Sequence, residues 1–458
     1  MYSIDDLQQR RIHFIGLGGA GMSGIARIML AKGLSVSGSD AKDSPVLQGL
    51  HALGATVFVG HAVGNIETAD LVVASSAIND KNVELIQAKE LGIEILTRAQ
   101  ALAILMSESV SVAVAGTHGK TTTTSMLTVA LQQAGLDPSF AIGGMINSSG
   151  TNAHLGTGNI FVAEADESDG SFLEYRPTGA IITNIELDHV DHFASFEEVL
   201  GSFLNFVETI KPHGFLVACS DDNGVQKLLG LISRDDLEII TYGLSGNIAI
   251  SRSTLTPMGS TSRITNNGVV LGELSLTVPG SHNILNATAA LAAGIWLKAT
   301  NHDLFEGLEL FSGTKRRFEI KGTARGVTVI DDYGHHPTEI AVTLEAARRY
   351  AQGGEVYVIF QPHRFSRTKA FAQEFGNALA LADHVYLTEI YPASEAPIPG
   401  VTSQLITRNM DSTKAEFEPS LVTLIEKVVS QVHSGDIIVT LGAGDVSALA
   451  PVILTSLS

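Results

Sequence analysis

The stretch from Val112 to Thr122 constrains this chain more than any other. Its apolar start leads into a glycine-rich turn that closes on Lys120 and Thr121 and opens onto a helix-like segment. In such a turn, glycines let backbone N–H groups crowd around phosphate oxygens, a lysine adds a point charge, and a threonine hydroxyl ligates Mg²⁺. The stretch therefore predicts a strand, a phosphate-binding loop and a helix, within an α/β domain that binds a nucleoside triphosphate.

The loop departs from the usual P-loop pattern at one position. A standard loop has a glycine five residues before Gly119, but Val114 stands there and the first glycine is Gly116. A strand–helix turn without a ligand is the alternative, and the coincidence of a lysine, paired threonines and an apolar strand favours phosphate binding. The nucleotide-binding residues predicted here are Gly116, Thr117, His118, Gly119, Lys120, Thr121 and Thr122.

Length and charge narrow the function classes. The chain has 458 residues, enough for roughly three domains of about 150 residues. Its 29 Lys and Arg residues against 48 Asp and Glu residues give a net charge of −19, which argues against nucleic-acid or membrane binding through a basic face. Cys219 is the single cysteine, so no internal disulfide can form. With no apolar leader at the start of the sequence, we expect a cytoplasmic protein.

The order of apolar and amphipathic segments predicts three α/β domains, at residues 1–107, 108–313 and 314–458. In the first, short buried strands alternate with helices, which is typical of a doubly wound parallel sheet. Residues 240–280 read as a small antiparallel patch. The strands predicted across the chain include Ile12–Leu17, Leu34–Ser37, Thr56–Val59, Leu71–Ala74, Ile160–Ala163, Ala180–Thr183, Phe215–Cys219, Val327–Ile330, Val356–Phe360, Val385–Thr388 and Ile437–Thr440, and the predicted helices include Ser23–Lys32, Asn82–Leu91 and Asn286–Lys298.

A second glycine-rich loop follows the first strand. Gly16, Gly18 and Gly21 have the spacing of a Rossmann fingerprint, and Asp40 ends the next strand about 20 residues later. NAD or FAD is the obvious ligand, but the motif fits any diphosphate nucleotide. A purely structural turn is the alternative.

Two polar segments follow strands of the central domain. Glu164, Asp166, Glu167 and Asp169 gather four carboxylates in six residues, which is costly unless a cation shares the site. His189 lies in the second segment, among further acidic residues. Near a P-loop the natural cation is Mg²⁺. A solvated acidic turn and a capped helix start are the alternatives.

Further polar groups lie near the remaining helix and strand ends. His282, Asn283 and Asn286 open an alanine-rich helix, where they either cap it or hold an adenosine. The basic run 315–317 suggests phosphate contact, with a solvated linker as the alternative. The pair Arg364 and Arg367 could clamp a carboxylate. The neighbouring histidines lack a complete zinc ligand set.

These segments together resemble the Mur ligases over nearly the whole chain. AGTHGKTTT, VAEADESD, NIELDHVDH, GSHNILNA, GTKRRFE and DDYGHHPTE occur in the order of that family. The resemblance implies a Rossmann-like N-terminal domain for a UDP-sugar, a central P-loop ATPase-type α/β domain, and a C-terminal Rossmann-like α/β domain for an amino acid. It also implies ATP-dependent amide ligation through an acyl phosphate, with Mg²⁺.

Roles carry over to the matching positions of this sequence. The resemblance implies metal ligation by Thr121, Glu164 and His189; catalysis by Lys120, Glu164, His189, Arg317 and Asp332; adenosine contact by His282, Asn283, Asn286 and Arg317; and substrate binding by Gly18, Gly21, Asp40, Tyr333, His335, His363, Arg364 and Arg367. One departure concerns the second Mg²⁺. Several relatives complete its site with a carbamylated lysine, and residues 201–209 contain no lysine.

Within the family, GLGGAGMSGIA, DDYGHHPTEI and FQPHRFSRT are most similar to the branch that joins L-alanine to UDP-N-acetylmuramate in peptidoglycan synthesis. We expect those two substrates and a monomer or weak dimer. The closest alternative is the recycling branch, which adds a tripeptide to the same UDP-sugar. An NAD-dependent oxidoreductase would leave the second nucleotide loop without a role. A non-catalytic nucleotide-gated regulator would not need the acidic, histidine and arginine groups together.

Overall fold

The computed structural model describes residues 2–458. The chain forms two compact units, and each is assembled from several stretches of sequence. The first unit contains the chain up to Ile185, Leu200–Ile248 and Ala289–Gly307, and the second contains Glu186–Val199, Ala249–Thr288 and Leu308–Ser458. Among the described residues, no helix is both long and apolar enough to cross a bilayer.

The first sheet is the doubly wound parallel sheet that the sequence predicts. Its strands lie in the order β3-β2-β1-β4-β5, and all four pairings are parallel. The elements are α1 (Ile4–Leu7), β1 (Arg11–Ile15), α2 (Ala20–Ala31), β2 (Ser35–Asp40), α3 (Pro45–Ala52), β3 (Thr56–Val59), β4 (Leu71–Ala74), α4 (Val83–Glu90), β5 (Ile95–Thr97) and α5 (Arg98–Ser107), with a 3₁₀ turn at Val63–Ile66. Strand order reverses beside β1, and the loop after β1 therefore opens at the place where such sheets bind ligands.

The central sheet of the first unit surrounds the P-loop strand. Its order is β12-β11-β10-β6-β9-β7-β8. The elements are β6 (Val110–Ala115), α6 (Lys120–Gln133), β7 (Ser139–Ala141), β8 (Ala153–His154), β9 (Ile160–Glu164), β10 (Gly179–Ile182), α7 (Phe196–Glu208), β11 (Phe215–Cys219), α8 (Asn223–Leu231) and β12 (Glu238–Gly243), with a 3₁₀ turn at Ser171–Glu174. β6 pairs in parallel with both β9 and β10. This places the P-loop next to the ends of both neighbouring strands.

Helix α6 is buried along most of its length although it is rich in hydroxyl groups. Thr124 donates to the carbonyl of Lys120 (2.8 Å), Ser125 to that of Thr121 (2.7 Å), and Thr128 to that of Thr124 (2.8 Å). These bonds return three hydroxyls to the preceding helical turn, so these three side chains enter the core with a hydrogen bond each. The hydroxyl of Thr123, in the same helix, is buried without one to any described residue.

The second unit contains an antiparallel hairpin and a six-stranded sheet. β14 and β15 pair antiparallel beside β13, at the antiparallel patch predicted near 240–280. The six-stranded sheet has the order β16-β17-β21-β18-β19-β20. The elements from here to the C-terminus are β13 (Ile248–Thr256), β14 (Gly259–Asn266), β15 (Val269–Leu276), α9 (Ser281–Trp296), α10 (Asn301–Glu309), β16 (Glu319–Ala324), β17 (Val327–Asp332), α11 (Pro337–Ala351), β18 (Val356–Phe360), α12 (Phe365–Ala370), α13 (Ala372–Leu379), β19 (His384–Leu387), α14 (Gln404–Thr407), β20 (Ala415–Phe417), α15 (Leu421–Gln431), β21 (Ile437–Leu441) and α16 (Leu449–Leu457), with a 3₁₀ turn at Asp445–Ala448.

The six-stranded sheet is parallel except at one edge. β16 runs antiparallel to β17, whereas β17, β21, β18, β19 and β20 form successive parallel pairs. Buried residues cover both faces in two apolar clusters. Covering both faces is what a parallel sheet requires, and the carboxyl ends of β17, β18 and β21 therefore meet at one edge.

Candidate active site

The P-loop backbone is held by the strand end next to it. Gly116 has φ +135°, and a Cβ there would lie 2.0 Å from Thr183 Oγ1, so this position requires glycine. The Thr117 N–H donates to the Asn184 carbonyl (3.0 Å), and the His118 N–H donates to Asn184 Oδ1 (2.8 Å). These contacts fix the loop before any ligand binds.

Lys120 is folded back into the loop. Its ammonium group donates to the carbonyls of Gly116 (2.6 Å) and Thr117 (3.1 Å) and lies 2.8 Å from the Glu167 carboxylate. Burial lowers the pKa of the lysine, but nearby carboxylates, Glu167 first among them, outweigh burial and raise that pKa. The surrounding carboxylates thus favour the charged form of Lys120, which lies in the loop predicted to bind phosphate.

Thr121 and Glu164 form a pair of oxygen donors. The Thr121 hydroxyl donates to Glu164 Oε1 (2.9 Å), and Glu164 Oε2 accepts from the Gly143 N–H (2.7 Å). A hydroxyl and a carboxylate brought this close are hard oxygen ligands of the kind Mg²⁺ prefers. The donor set therefore fits the metal that the sequence predicts.

A cavity of about 330 Å³ lies within the first unit. The start of α2 forms one wall, and its N-terminus has no side-chain cap, so its N–H groups attract an anion. The residues that line the cavity include Gly19, Ala20, Gly21, Ser75, Ser76, Arg98, Gly143, Asn152, Glu164, Asp166 and Asp169. The cavity thus runs from the first glycine loop to the predicted metal carboxylate Glu164.

Arg98 is a charged residue of the cavity lining that the sequence analysis did not single out. It packs against Gly21, where an added Cβ would lie 2.9 Å from Arg98 Cδ. Its position directly after β5 was the available signal, because ligands bind beyond the carboxyl ends of parallel strands. Asp40, predicted to bind a ribose, accepts a hydrogen bond from the Gly18 N–H through Oδ2 (2.9 Å). That bond engages one of its two carboxylate oxygens.

In the second unit, the three residues predicted to contact the adenosine lie in the first two turns of α9. This helix begins at Ser281, five residues earlier than predicted. Asn283 donates to the Pro279 carbonyl (2.7 Å), and Asn286 donates to Asn283 Oδ1 (3.3 Å). Burial, with the nearby Arg317 cation, lowers the pKa of His282 to about 4. His282 is therefore neutral at pH 7 and is suited to contact a neutral base.

The linker before β16 and the end of β17 form a second group. Asp332 accepts from the N–H groups of Phe318 (2.7 Å) and Gly334 (2.8 Å), and burial raises its pKa. The Arg317 guanidinium lies 5.2 Å from the Tyr333 ring centroid. Asp332 thus fixes the backbone that presents two other predicted site residues.

The ends of β17 and β18 bring histidines together. The rings of His335 and His363 lie 5.7 Å apart, and His363 also stacks on Tyr391, which the sequence analysis did not assign to the site. Burial is the largest cause that lowers the pKa of His335 to about 3 and that of His363 to about 4, and Arg367 adds to both. Both rings are neutral at pH 7. His363 Nδ1 accepts from Arg367 Nη1 (3.2 Å), whereas His335 Nδ1 donates to the Tyr333 carbonyl (3.2 Å), which leaves Nε2 of His335 as an acceptor.

The two predicted carboxylate-binding arginines already have partners. Arg367 pairs with Asp188 at 2.8 Å, with both side chains less than 5% exposed. Arg364 pairs with Asp191, and both of these side chains are more than a quarter exposed. Within the second unit, the segment that carries His189 is therefore attached to the start of α12 by two ion pairs.

Comparison with known proteins identifies the family. Three family models match successive parts of the chain: the Mur ligase family catalytic domain at 11–109, the Mur ligase middle domain at 114–294, and the Mur ligase glutamate ligase domain at 316–444. The chain belongs to the Mur ligase family. The three-domain α/β architecture predicted from the sequence is thereby confirmed.

Individual Mur ligases match the whole chain. A UDP-N-acetylmuramate–L-alanine ligase of Renibacterium salmoninarum is 50% identical over 98% of this chain and 96% of its own length. One from Paenarthrobacter aurescens is 49% identical over 98% and 97%. The crystal structure of the Thermotoga maritima UDP-N-acetylmuramate–alanine ligase superposes with a TM-score of 0.81 at 30% identity and covers 98% of this chain and 99% of that one.

Proposed function

We propose that this Mur ligase joins L-alanine to the lactyl carboxylate of UDP-N-acetylmuramate with ATP as the energy source. The products are the amide, ADP and phosphate, and the reaction is a step of peptidoglycan precursor synthesis. Relatives of about 50% identity that carry this activity in their names support the choice of substrates. We further propose a cytoplasmic monomer or weak dimer, which light scattering would test.

The observation that carries the proposal is the double pairing at the P-loop. Lys120 lies against Glu167, and Thr121 lies against Glu164. The loop thus combines a cation for phosphate with hydroxyl and carboxylate ligands for a divalent metal. That combination serves phosphoryl transfer and has no use in hydride transfer.

Thr121 and Glu164 would hold Mg²⁺, with His189 as the ligand of a second ion. When bound, Mg²⁺ neutralises triphosphate charge. The protein contributes to catalysis by holding charged groups next to the reacting atoms. Lys120 would bind the β- and γ-phosphate oxygens, so that the negative lactyl carboxylate can approach a negative triphosphate.

The proposed chemistry has two steps. A lactyl carboxylate oxygen attacks the γ-phosphorus, and the bond to the ADP oxygen breaks, which gives an acyl phosphate. The amine of L-alanine then attacks the acyl carbon, and the tetrahedral intermediate expels phosphate as the amine loses a proton. The neutral imidazole of His335 is suited to accept an N–H of the amine through Nε2, and the neutral ring of His363 next to it does not repel the amine.

The cavity of the first unit is the proposed place of the UDP-sugar. The N-terminus of α2 and Arg98 would face the diphosphate. Asp40 retains one oxygen for a ribose hydroxyl. At the other end of the cavity, Glu164 is close to where the lactyl carboxylate must react.

Phosphate release from ATP and Mg²⁺ with UDP-N-acetylmuramate tests the proposal. We expect turnover with L-alanine and none with the L-Ala-γ-D-Glu-diaminopimelate tripeptide. Turnover with the tripeptide alone would assign the chain to the recycling branch. ATP binding without turnover for any amino acid would favour a nucleotide-gated regulator.

A further inference from the structure

Residues 186–193 form a loop that is attached to the C-terminal sheet region at three points within the second unit. Thr338 donates to Glu186 (2.7 Å), Arg367 pairs with Asp188, and Arg364 pairs with Asp191. Of these three contacts, the one at Asp188 is the most completely buried. The middle of the loop is thus anchored more firmly than its ends.

The Asp188 carboxylate connects Arg367 to the backbone of His189. Asp188 Oδ1 accepts from Arg367 Nε (2.9 Å) and Nη2 (2.8 Å), and the same oxygen accepts from the His189 N–H (2.7 Å). The other oxygen, Oδ2, lies 3.8 Å from His189 Nε2. One carboxylate therefore contacts a guanidinium, a backbone amide and an imidazole.

The backbone at His189 needs such support. Its φ is +49°, in the left-handed region that residues other than glycine adopt uncommonly. Its carbonyl accepts from the N–H groups of His192 (2.7 Å) and Phe193 (2.9 Å), which closes a tight turn. A strained residue persists where its surroundings fix it, and such residues cluster at functional sites.

We propose that Arg367 is a positioning residue that orients His189 through Asp188. This inference rests on the proposed function, in which His189 ligates the second Mg²⁺. It assigns Arg367 a different role from Arg364, although one helical turn separates them. Arg364 is partly exposed and its partner Asp191 more so, so Arg364 can exchange that partner for a substrate carboxylate. Arg367 is buried with its partner and cannot do so without leaving Asp188 as an unpaired buried charge.

The test compares Arg367→Met, Arg367→Lys and Asp188→Asn in the full-length enzyme. Free Mn²⁺ would be measured by electron paramagnetic resonance in the presence of a non-hydrolysable ATP analogue. We expect Arg367→Met and Asp188→Asn to weaken Mn²⁺ binding and to lower kcat about 10- to 100-fold, as loss of an outer-shell partner does. Arg367→Lys should recover part of both losses because it retains the charge. The KM for L-alanine should stay within about threefold of wild type for Asp188→Asn, which keeps the bond from Arg367 Nη1 to His363 Nδ1 (3.2 Å), and should rise less than about tenfold for Arg367→Met, which loses that bond.

Coupling between the pair gives a second readout. The Arg367→Met/Asp188→Asn double variant should lose no more Mn²⁺ affinity than either single variant, because the two residues act in series. Arg348→Met is the matched control, since Arg348 forms an Arg–Asp pair with Asp383 in the same unit (2.7 Å) away from the site. It should keep wild-type Mn²⁺ affinity and kcat. Thermal unfolding of each variant separates misfolding from lost positioning.

Two outcomes would overturn the inference. One is a tenfold or larger rise in the L-alanine KM of Arg367→Met with unchanged Mn²⁺ affinity, which would make Arg367 a substrate ligand. The other is full additivity in the double variant. A wild-type enzyme that binds Mn²⁺ with the analogue but ligates no amino acid would overturn the proposed function instead, and the Mn²⁺ comparison among variants would still decide the role of Arg367.

Discussion

Two loops of the first unit share one backbone plan and differ in their side chains. The loop after β1 with the first helical residues (16–21), and the loop after β6 with the first helical residues (116–121), each lead from a central parallel strand into a helix. The second loop carries its own cation, Lys120, and its own hydroxyl, Thr121, and each lies against a carboxylate. The first loop contains no charged side chain and receives Arg98 from the start of α5.

This difference matches the two ligands proposed. A triphosphate with a metal needs a lysine and oxygen donors fixed close to the reacting phosphate. A diphosphate that only anchors a substrate can be held by helix N–H groups and one guanidinium. The same strand–loop–helix unit can therefore serve chemistry or anchoring, depending on the side chains around it.

The largest expected effect separates the two loops by function. Lys120→Ala should lower kcat on the order of 10²–10³-fold, because it removes the cation that stabilises the transferring phosphate. UDP-N-acetylmuramate binding, measured by calorimetry, should stay close to wild type, since that ligand uses the other loop. Loss of UDP-sugar binding in this variant would break the comparison.

The next effect concerns the backbone of the P-loop. Gly116→Ala forces a Cβ to within 2.0 Å of Thr183 Oγ1 at a φ of +135°. We expect a loss of about 3 kcal/mol or more in unfolding free energy, measured by urea denaturation. A stable variant that binds ATP normally would show that the loop relaxes far more easily than its contacts indicate.

Removing Arg98, which faces the first loop from the start of α5, should weaken binding of the UDP-sugar without affecting phosphoryl transfer. Arg98→Ala should weaken UDP-N-acetylmuramate binding about 10- to 100-fold, which corresponds to the loss of one or two charge-assisted hydrogen bonds. ADP affinity serves as the internal control and should not change. Equal weakening of both ligands would mean that Arg98 supports the fold of the whole unit.

The smallest expected effect comes from Gly21→Ala, the counterpart of Gly116→Ala in the first loop. Gly21→Ala lies inside α2 and meets only the flexible Arg98 side chain at 2.9 Å. Stability should be unchanged or rise by up to about 1 kcal/mol, since alanine favours a helix. UDP-N-acetylmuramate binding should fall a few-fold as Arg98 is displaced. A loss of stability as large as that of Gly116→Ala would show that the two loops are equally rigid.

Strands could be predicted from the sequence because buried parallel strands leave continuous apolar runs. Leu71–Ala74, Phe215–Cys219 and Val356–Phe360 are mostly buried and have the predicted bounds. The edge strand Thr56–Val59 also has its predicted bounds, although none of its residues is buried. The first strand ends at Ile15 and not at Leu17, because Gly16 takes φ +84°. The spacing of apolar residues and the local composition are therefore enough to locate such strands.

Partners of charged side chains could not be predicted in the same way. The sequence placed four carboxylates after β9 but did not indicate that Glu167 would pair with Lys120, 47 residues earlier. It gave Arg364 and Arg367 the same role, whereas burial separates them. Such pairings depend on how distant segments pack, which a local pattern does not encode.

The hydrogen bonding of the hydroxyl-rich helix α6 has a consequence for the substitutions that this sequence can accept. Beyond its first turn, the hydroxyls of Thr124 and Thr128 donate to carbonyls of the preceding helical turn, so neither hydroxyl donates to a ligand. Both side chains are fully buried, so we expect only residues of similar volume to replace them, while Lys120 and Thr121 should not vary. Within this one helix, we expect slow substitution at the positions that contact the nucleotide and faster substitution one turn later.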